Sequence, residues 1–155
     1  WFFNLSIHPL YNKKYNLINK NNNIKVDMLT GRSVIYPSSV FRKNSFDYKT
    51  FPHYGGDSEF TNRLKRKGYD LFIIPSSRIL VDQEETGLNP LDKKLTITEL
   101  FKSFFSIRST NNLFTKFKFS FKVPPWYARP TYFLISVAKV LIISSIGNLL
   151  VKKKL

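Results

Sequence analysis

The sequence contains no cysteine, which excludes disulfides and thiolate metal sites and permits a reducing compartment. No acidic residue follows Glu99: residues 100–155 carry ten Lys or Arg and no Asp or Glu. A stretch so one-sided in charge calls for an anionic counterpart, whether a membrane surface, a nucleotide diphosphate or a nucleic acid. The sequence has no glycine-rich phosphate loop, no internal repeat, and no low-complexity tract beyond an Asn/Lys-rich segment at 12–23, which reads as a surface loop. The first residues lack the basic start, apolar run and small-residue cleavage site of a secretory signal. What is present is a chain of 155 residues with a formal charge of +15, long enough for one domain with a core of its own.

The chain is organised around residues 53–75, which read as a glycine turn, a short helix and a strand. Gly55-Gly56 breaks the chain, and Asp57 or Ser58 can cap the helix that follows. Phe60 and Leu64 share one helical face, while Arg63, Lys65, Arg66 and Lys67 cover the others. Gly68 supplies a stop, and residues 69–74 read as a strand ended by Pro75. A carboxylate at a helix N-terminus tends to stay ionised, and beside a flexible turn it can face a ligand as a general base. Spacing alone leaves two readings of Asp57, a plain helix cap or such a base. Glu59 lies two residues on and need not point the same way. His53 beside the turn is either a structural hydrogen-bonding group or a direct participant.

Flanking elements follow from local pattern. Residues 1–7 read as an edge strand, 24–29 as a strand ended by Gly31, 33–36 as a strand, and 38–43 as a helical turn begun after Pro37. Phe46 and Phe51 read as core. The guanidinium of Arg32 matches a diphosphate, or is simply solvated. Residues 78–81 read as a further strand, and 82–89 as an acidic loop where Asp82 or Glu84 offers oxygen to a hard cation. Residues 98–107 fit an amphipathic helix with Thr96 or Thr98 near its start. Phe114, Phe117, Phe119 and Phe121 then alternate with Lys116, Lys118 and Lys122, a pattern that suits base stacking or a membrane interface, with ordinary packing as the plain alternative. Residues 123–130 break the chain. Residues 131–151 form an apolar run interrupted by Lys139, which would be costly at a bilayer centre. Ser136, Lys139, Ser144, Gly147 and Asn148 gather in one half of the helical wheel, so the run reads as an interfacial or packed helix rather than a span.

Four blocks resemble the family-2 glycosyltransferases. The family pattern runs Gly, a variable residue, Asp, any residue, Asp or Glu, Leu or Phe, then Arg-Leu and Gly-Tyr, and residues 55–69 are similar to it. Residues 29–41 with Phe46-Asp47 look like the preceding segment, and 82–87 and 105–113 resemble a bacterial-type subgroup. The resemblance implies the C-terminal part of an α/β, Rossmann-like (GT-A) transferase domain over residues 1–95, followed by a basic helical tail over 96–155. It implies inverting transfer of a sugar from a nucleotide-sugar to an acceptor hydroxyl in surface-glycan or polysaccharide synthesis. Asp57 takes the position of the catalytic base. Gly31, Arg32, His53, Gly56, Glu59 and Arg63 are the substrate-binding candidates, with Gly56 standing where many relatives have Glu. The Asp-x-Asp donor motif is absent from these residues, so the resemblance places the donor half upstream of Trp1. A divalent cation, Mg or Mn, would be held mainly by that half, and no metal ligand is assigned here. The implied partners are a nucleotide-sugar donor, a glycan or lipid-linked acceptor and an anionic membrane surface, with nucleic acid disfavoured and a cytoplasmic location at the inner face of a membrane. The rival expectation is a non-catalytic basic module that binds anionic membrane or nucleic acid through residues 100–155.

Overall fold

A computed structural model describes residues 9, 10, 14, 17–31, 33–77, 79 and 96–152. The elements run β1 (Ile24–Val26), α1 (Ser38–Lys43), α2 (Gly56–Arg66), β2 (Leu71–Ile73), α3 (Ile97–Phe105), α4 (Leu113–Lys122) and, after one 3-10 turn, α5 (Arg129–Lys152). β1 and β2 pair antiparallel, with Ile24 opposite Ile73 and Val26 opposite Leu71. The described residues are therefore helix-rich with a two-stranded sheet; no parallel Rossmann-like sheet lies among them. The strand expected at 1–7, that at 78–81 apart from Ile79, the loop at 82–89 with Asp82 and Glu84, and Arg32 lie outside the described residues.

α2 forms as its sequence dictates. Gly55 stands before it in a left-handed conformation (φ 84°), open to glycine at little cost. Arg63, Leu64, Lys65 and Arg66 favour the helix over its last turn, and Gly68 follows its end at φ 90°. The apolar face buries Phe60 and Leu64 against Val40 of α1, with Tyr36 and Tyr69 at the margin. Phe60 stacks on Phe46 at 4.1 Å between centroids and on Phe41 at 5.9 Å, and meets Tyr36 edge-on at 5.5 Å. That explains why residues 33–36 do not form the expected strand: among the described residues no strand pairs with them, and Tyr36 is drawn into the aromatic core. At the far end, Lys67 Nζ donates to Asn44 Oδ1 at 2.6 Å while Asn44 Nδ2 donates to the Val40 carbonyl at 2.9 Å, which joins the C-termini of α1 and α2.

One buried hydroxyl attaches the 29–31 segment to α2. Thr61 Oγ1 accepts the Leu29 N–H at 3.0 Å and lies 3.0 Å from the carbonyl oxygens of Leu29 and Asp57, which share its proton. Thr61→Val keeps the shape and removes these bonds. It is expected to lower unfolding free energy by about 2 kcal/mol, with Thr61→Ser near the parent value in urea titrations.

α3 and α4 are both capped by side chains at their N-termini. Thr96 accepts from the Glu99 N–H at 3.2 Å, and Glu99 Oε2 accepts from the Thr96 N–H at 2.8 Å, a reciprocal capping box. Asn112 Oδ1 accepts from the Thr115 N–H at 2.7 Å at the start of α4. As a helix, α4 sorts its phenylalanines: Phe114, Phe117 and Phe121 share one face, while Phe119 turns inward to Phe51 and Tyr132. α4 packs on α5, where Ser136 and Val140 are buried. Lys116 lies in this seam, and burial, with the nearby charge of Lys139, pulls its ammonium below the usual lysine range. No helix among the described residues is long and apolar enough to cross a membrane.

Candidate active site

The turn before α2 and the segment after β1 close on each other around Asp57. With Gly55 in the capping position, Asp57 falls inside the first helical turn, and no side chain caps the helix. The Asp57 carboxylate instead accepts the backbone N–H of Gly31, 26 residues earlier. The fit is close: a Cβ on Gly31 would stand 2.9 Å from Asp57 Oδ2 and 3.1 Å from its Cβ, so a side chain there would displace the carboxylate. Thr30, Gly31, His53, Tyr54, Gly55 and Asp57 line an open cleft of about 400 Å³. The His53 and Tyr54 rings meet edge-on at 4.6 Å. Behind the cleft, burial pushes the Tyr36 hydroxyl up from its ordinary value, and the charge of Asp57 adds to the shift. The cleft therefore presents an oriented carboxylate, one imidazole and one phenol, groups able to receive a proton and to bind hydroxyls.

The expected site residues divide between two clefts. Asp57, Gly31 and His53 come together. Gly56 is half-buried against Phe51, where an added Cβ would meet the Phe51 carbonyl oxygen at 3.3 Å. Glu59 and Arg63 lie on the other side of α2, because a helix turns about 100° per residue. There Arg63 Nε donates to Glu59 Oε1 at 2.8 Å and Nη2 to Oε2 at 3.2 Å, and Nη2 also reaches the Ser45 carbonyl at 2.8 Å. This two-pronged pair fastens the 45–49 segment to α2. Tyr54 and Thr30 were missed in the sequence; adjacency to His53 and Gly31 was the available signal.

The second cleft, of about 520 Å³, is lined by Glu59, Asn62, Arg63 and Arg66 from α2, by residues 45–49, and by Lys122 and Val123 at the end of α4. Lys122 bonds the Asp47 carboxylate and lies 3.3 Å from Thr50 Oγ1, so it joins α4 to the 47–50 turn. Lys122, helped by Thr50, holds Asp47 down at about 2 against an ordinary 3.8. A carboxylate depressed in the folded state stabilises the fold above its unfolded value and loses that contribution as pH falls through its folded one. The joint is expected intact above about pH 4 and lost between about pH 4 and 2, a loss of about 1 kcal/mol after solvent screening. Urea midpoints at pH 5 and pH 3 test this, since Asp47→Asn should remove most of the difference.

Among the described residues no group of three or more His, Cys, Asp or Glu side chains could hold a metal ion. The Asp57 cleft offers a cation one carboxylate, so the residues here do not by themselves make a cation site. No protein-family model, curated protein or solved structure matches this chain.

Proposed function

We propose that this chain carries the acceptor side of an inverting nucleotide-sugar glycosyltransferase, with Asp57 as its base. The observation that supports it most is the placing of Asp57: its carboxylate is aimed by the Gly31 N–H into an open cleft beside His53 and Tyr54. In this reading an acceptor hydroxyl gives its proton to Asp57 as its oxygen attacks the anomeric carbon. The bond from that carbon to the nucleoside diphosphate breaks on the opposite side, and the leaving group departs with the electron pair. Gly31 keeps the cleft floor free of a side chain, and His53 and Tyr54 hydrogen-bond the acceptor. Arg32, next to Gly31 in sequence, belongs to the proposal as a diphosphate contact. The deciding experiment is sugar transfer by the full-length protein with Asp57→Asn.

The tail supports a membrane-peripheral placing of this activity, with a lipid-linked or surface glycan as acceptor. Phe105 of α3 meets Phe114 of α4 at 6.2 Å, and Phe117 meets Phe121 at 4.6 Å and Phe133 of α5 at 5.4 Å. Phe105, Phe114, Phe117 and Phe121 are nonetheless exposed, in a segment with no acidic residue. An aromatic ridge with lysines beside it suits an anionic bilayer surface. Co-sedimentation with phosphatidylserine vesicles is expected, weak on phosphatidylcholine, and reduced at least roughly tenfold by Phe114→Ser with Phe121→Ser. Indifference to the pair, with steeply salt-dependent nucleic-acid binding, would favour the rival basic module instead.

A further inference from the structure

The cleft on the reverse face of α2 takes no part in chemistry at Asp57, and its charges can be set against one another. Its two carboxylates are engaged within the cleft, Glu59 by Arg63 and Asp47 by Lys122. Two further cations line it, Lys49 and Arg66, both exposed. Among the described residues neither is in an ion pair. Arg66 Nη1 has one long contact, 3.4 Å to the Lys122 carbonyl.

Asn62 lines the same cleft and is only 6% exposed. Among the described residues nothing hydrogen-bonds its side-chain amide, although Thr61 beside it is bonded four ways. Buried amides in native proteins are ordinarily paired. An unpaired amide facing a cleft with two unspent positive charges is arranged to meet a ligand.

We propose that this cleft binds a phosphate dianion, carried as a phosphomonoester or a terminal diphosphate. A charge of about −2 near neutral pH matches the two unspent cations. The Arg66 guanidinium can take two phosphate oxygens at once, Lys49 adds a point charge, and the Asn62 amide donates to a third oxygen. Phe46 and Tyr48 line the same cleft and give the organic part of such a ligand an apolar wall. The group has two sources with the same chemistry, a soluble phosphate compound or a lipid phosphomonoester headgroup. The inference is independent of the role of Asp57, which lies on the opposite side of α2.

The test is a titration of the full-length protein with inorganic pyrophosphate, followed by calorimetry and by the side-chain amide signals of Asn62 in NMR. Saturable binding that shifts the Asn62 signals is expected. Arg66→Gln should weaken it roughly tenfold, as loss of a charge-assisted hydrogen bond does. Asn62→Asp, which sets a negative charge against the ligand, should weaken it at least as much. Lys43→Gln removes one charge from α1 outside the cleft and should leave binding unchanged. The lipid arm compares vesicles of phosphatidylcholine with phosphatidic acid against vesicles with phosphatidylserine. Arg66-dependent preference for phosphatidic acid, without pyrophosphate binding, assigns the lipid source; Arg66-dependent pyrophosphate binding assigns the soluble one. Binding that falls equally with Lys43→Gln, or that ignores Arg66→Gln in both arms, overturns the proposal. Asp57→Asn should bind pyrophosphate as the parent does, so failure of the transferase reading would leave this result standing.

Discussion

Asp57→Asn in the full-length protein is expected to lower sugar transfer by roughly 10²–10⁴-fold, the usual worth of a positioned general base. Nucleotide-sugar affinity should stay near the parent value. The substitution separates chemistry from structure, because of what Asp57 does in the fold. Its carboxylate accepts the Gly31 N–H, and an asparagine carbonyl can accept the same bond. The turn therefore stays closed while the basic group is lost. Asp57→Ala removes both, so it should also loosen the 29–31 segment and lower the unfolding midpoint. Gly31→Ala approaches the same site from the other side, with a Cβ 2.9 Å from the carboxylate oxygen. Release of nucleoside diphosphate in the presence of acceptor is the readout. Near-normal turnover in Asp57→Asn would remove the residue from the base role and leave it a structural clasp.

Phe60→Ala is expected to cost about 3–5 kcal/mol, as truncation of a fully buried aromatic does. Phe60 is 0% exposed and lies at the centre of a ring cluster with Tyr36, Phe41 and Phe46, with the Arg63 guanidinium over its face at 5.3 Å. Such a loss is a large part of the roughly 5–15 kcal/mol that holds a domain together. Urea denaturation should show a midpoint far below that of the parent, or no folded baseline. Phe60→Leu keeps most of the apolar volume and should cost much less. The residues around Phe60 in the chain serve both clefts: Glu59 and Asn62 line one, and Thr61 holds Leu29 beside the other. Collapse of this one packing position should therefore disturb both clefts together.

The parts of the fold that depend on neighbouring residues were legible. Gly55-Gly56, the Phe60 and Leu64 pair and Gly68 marked α2, which runs Gly56–Arg66. Thr96, one of the two threonines read near its start, caps α3, and Pro37 marked the start of α1. What depended on distant contacts was not. β-branched residues at 33–36 suggested a strand, but a strand needs a partner, and Tyr36 found an aromatic core instead. Asp57 looked like a cap because the left-handed conformation of Gly55, which takes that place, leaves no mark in one sequence. Its bond to Gly31 spans 26 residues and has no local signal. Likeness to a family grouped Glu59 and Arg63 with Asp57, whereas helical rotation sets them on the far side. Their own spacing of four did announce the ion pair they form.

Beside the bond from Gly31 to Asp57, Thr61 ties the 29–31 segment to the interior of α2, and its two polar partners in that segment belong to Leu29. β1 ends at Val26, so the sheet does not hold this segment in register. The lifetime of the closed cleft is then the lifetime of α2 itself: solvent reaches the Leu29 amide when that helix lets go of it, not when the sheet frays. A ligand that stiffens α2 from either side would slow amide exchange at Leu29, a backbone clock for a helix it does not belong to.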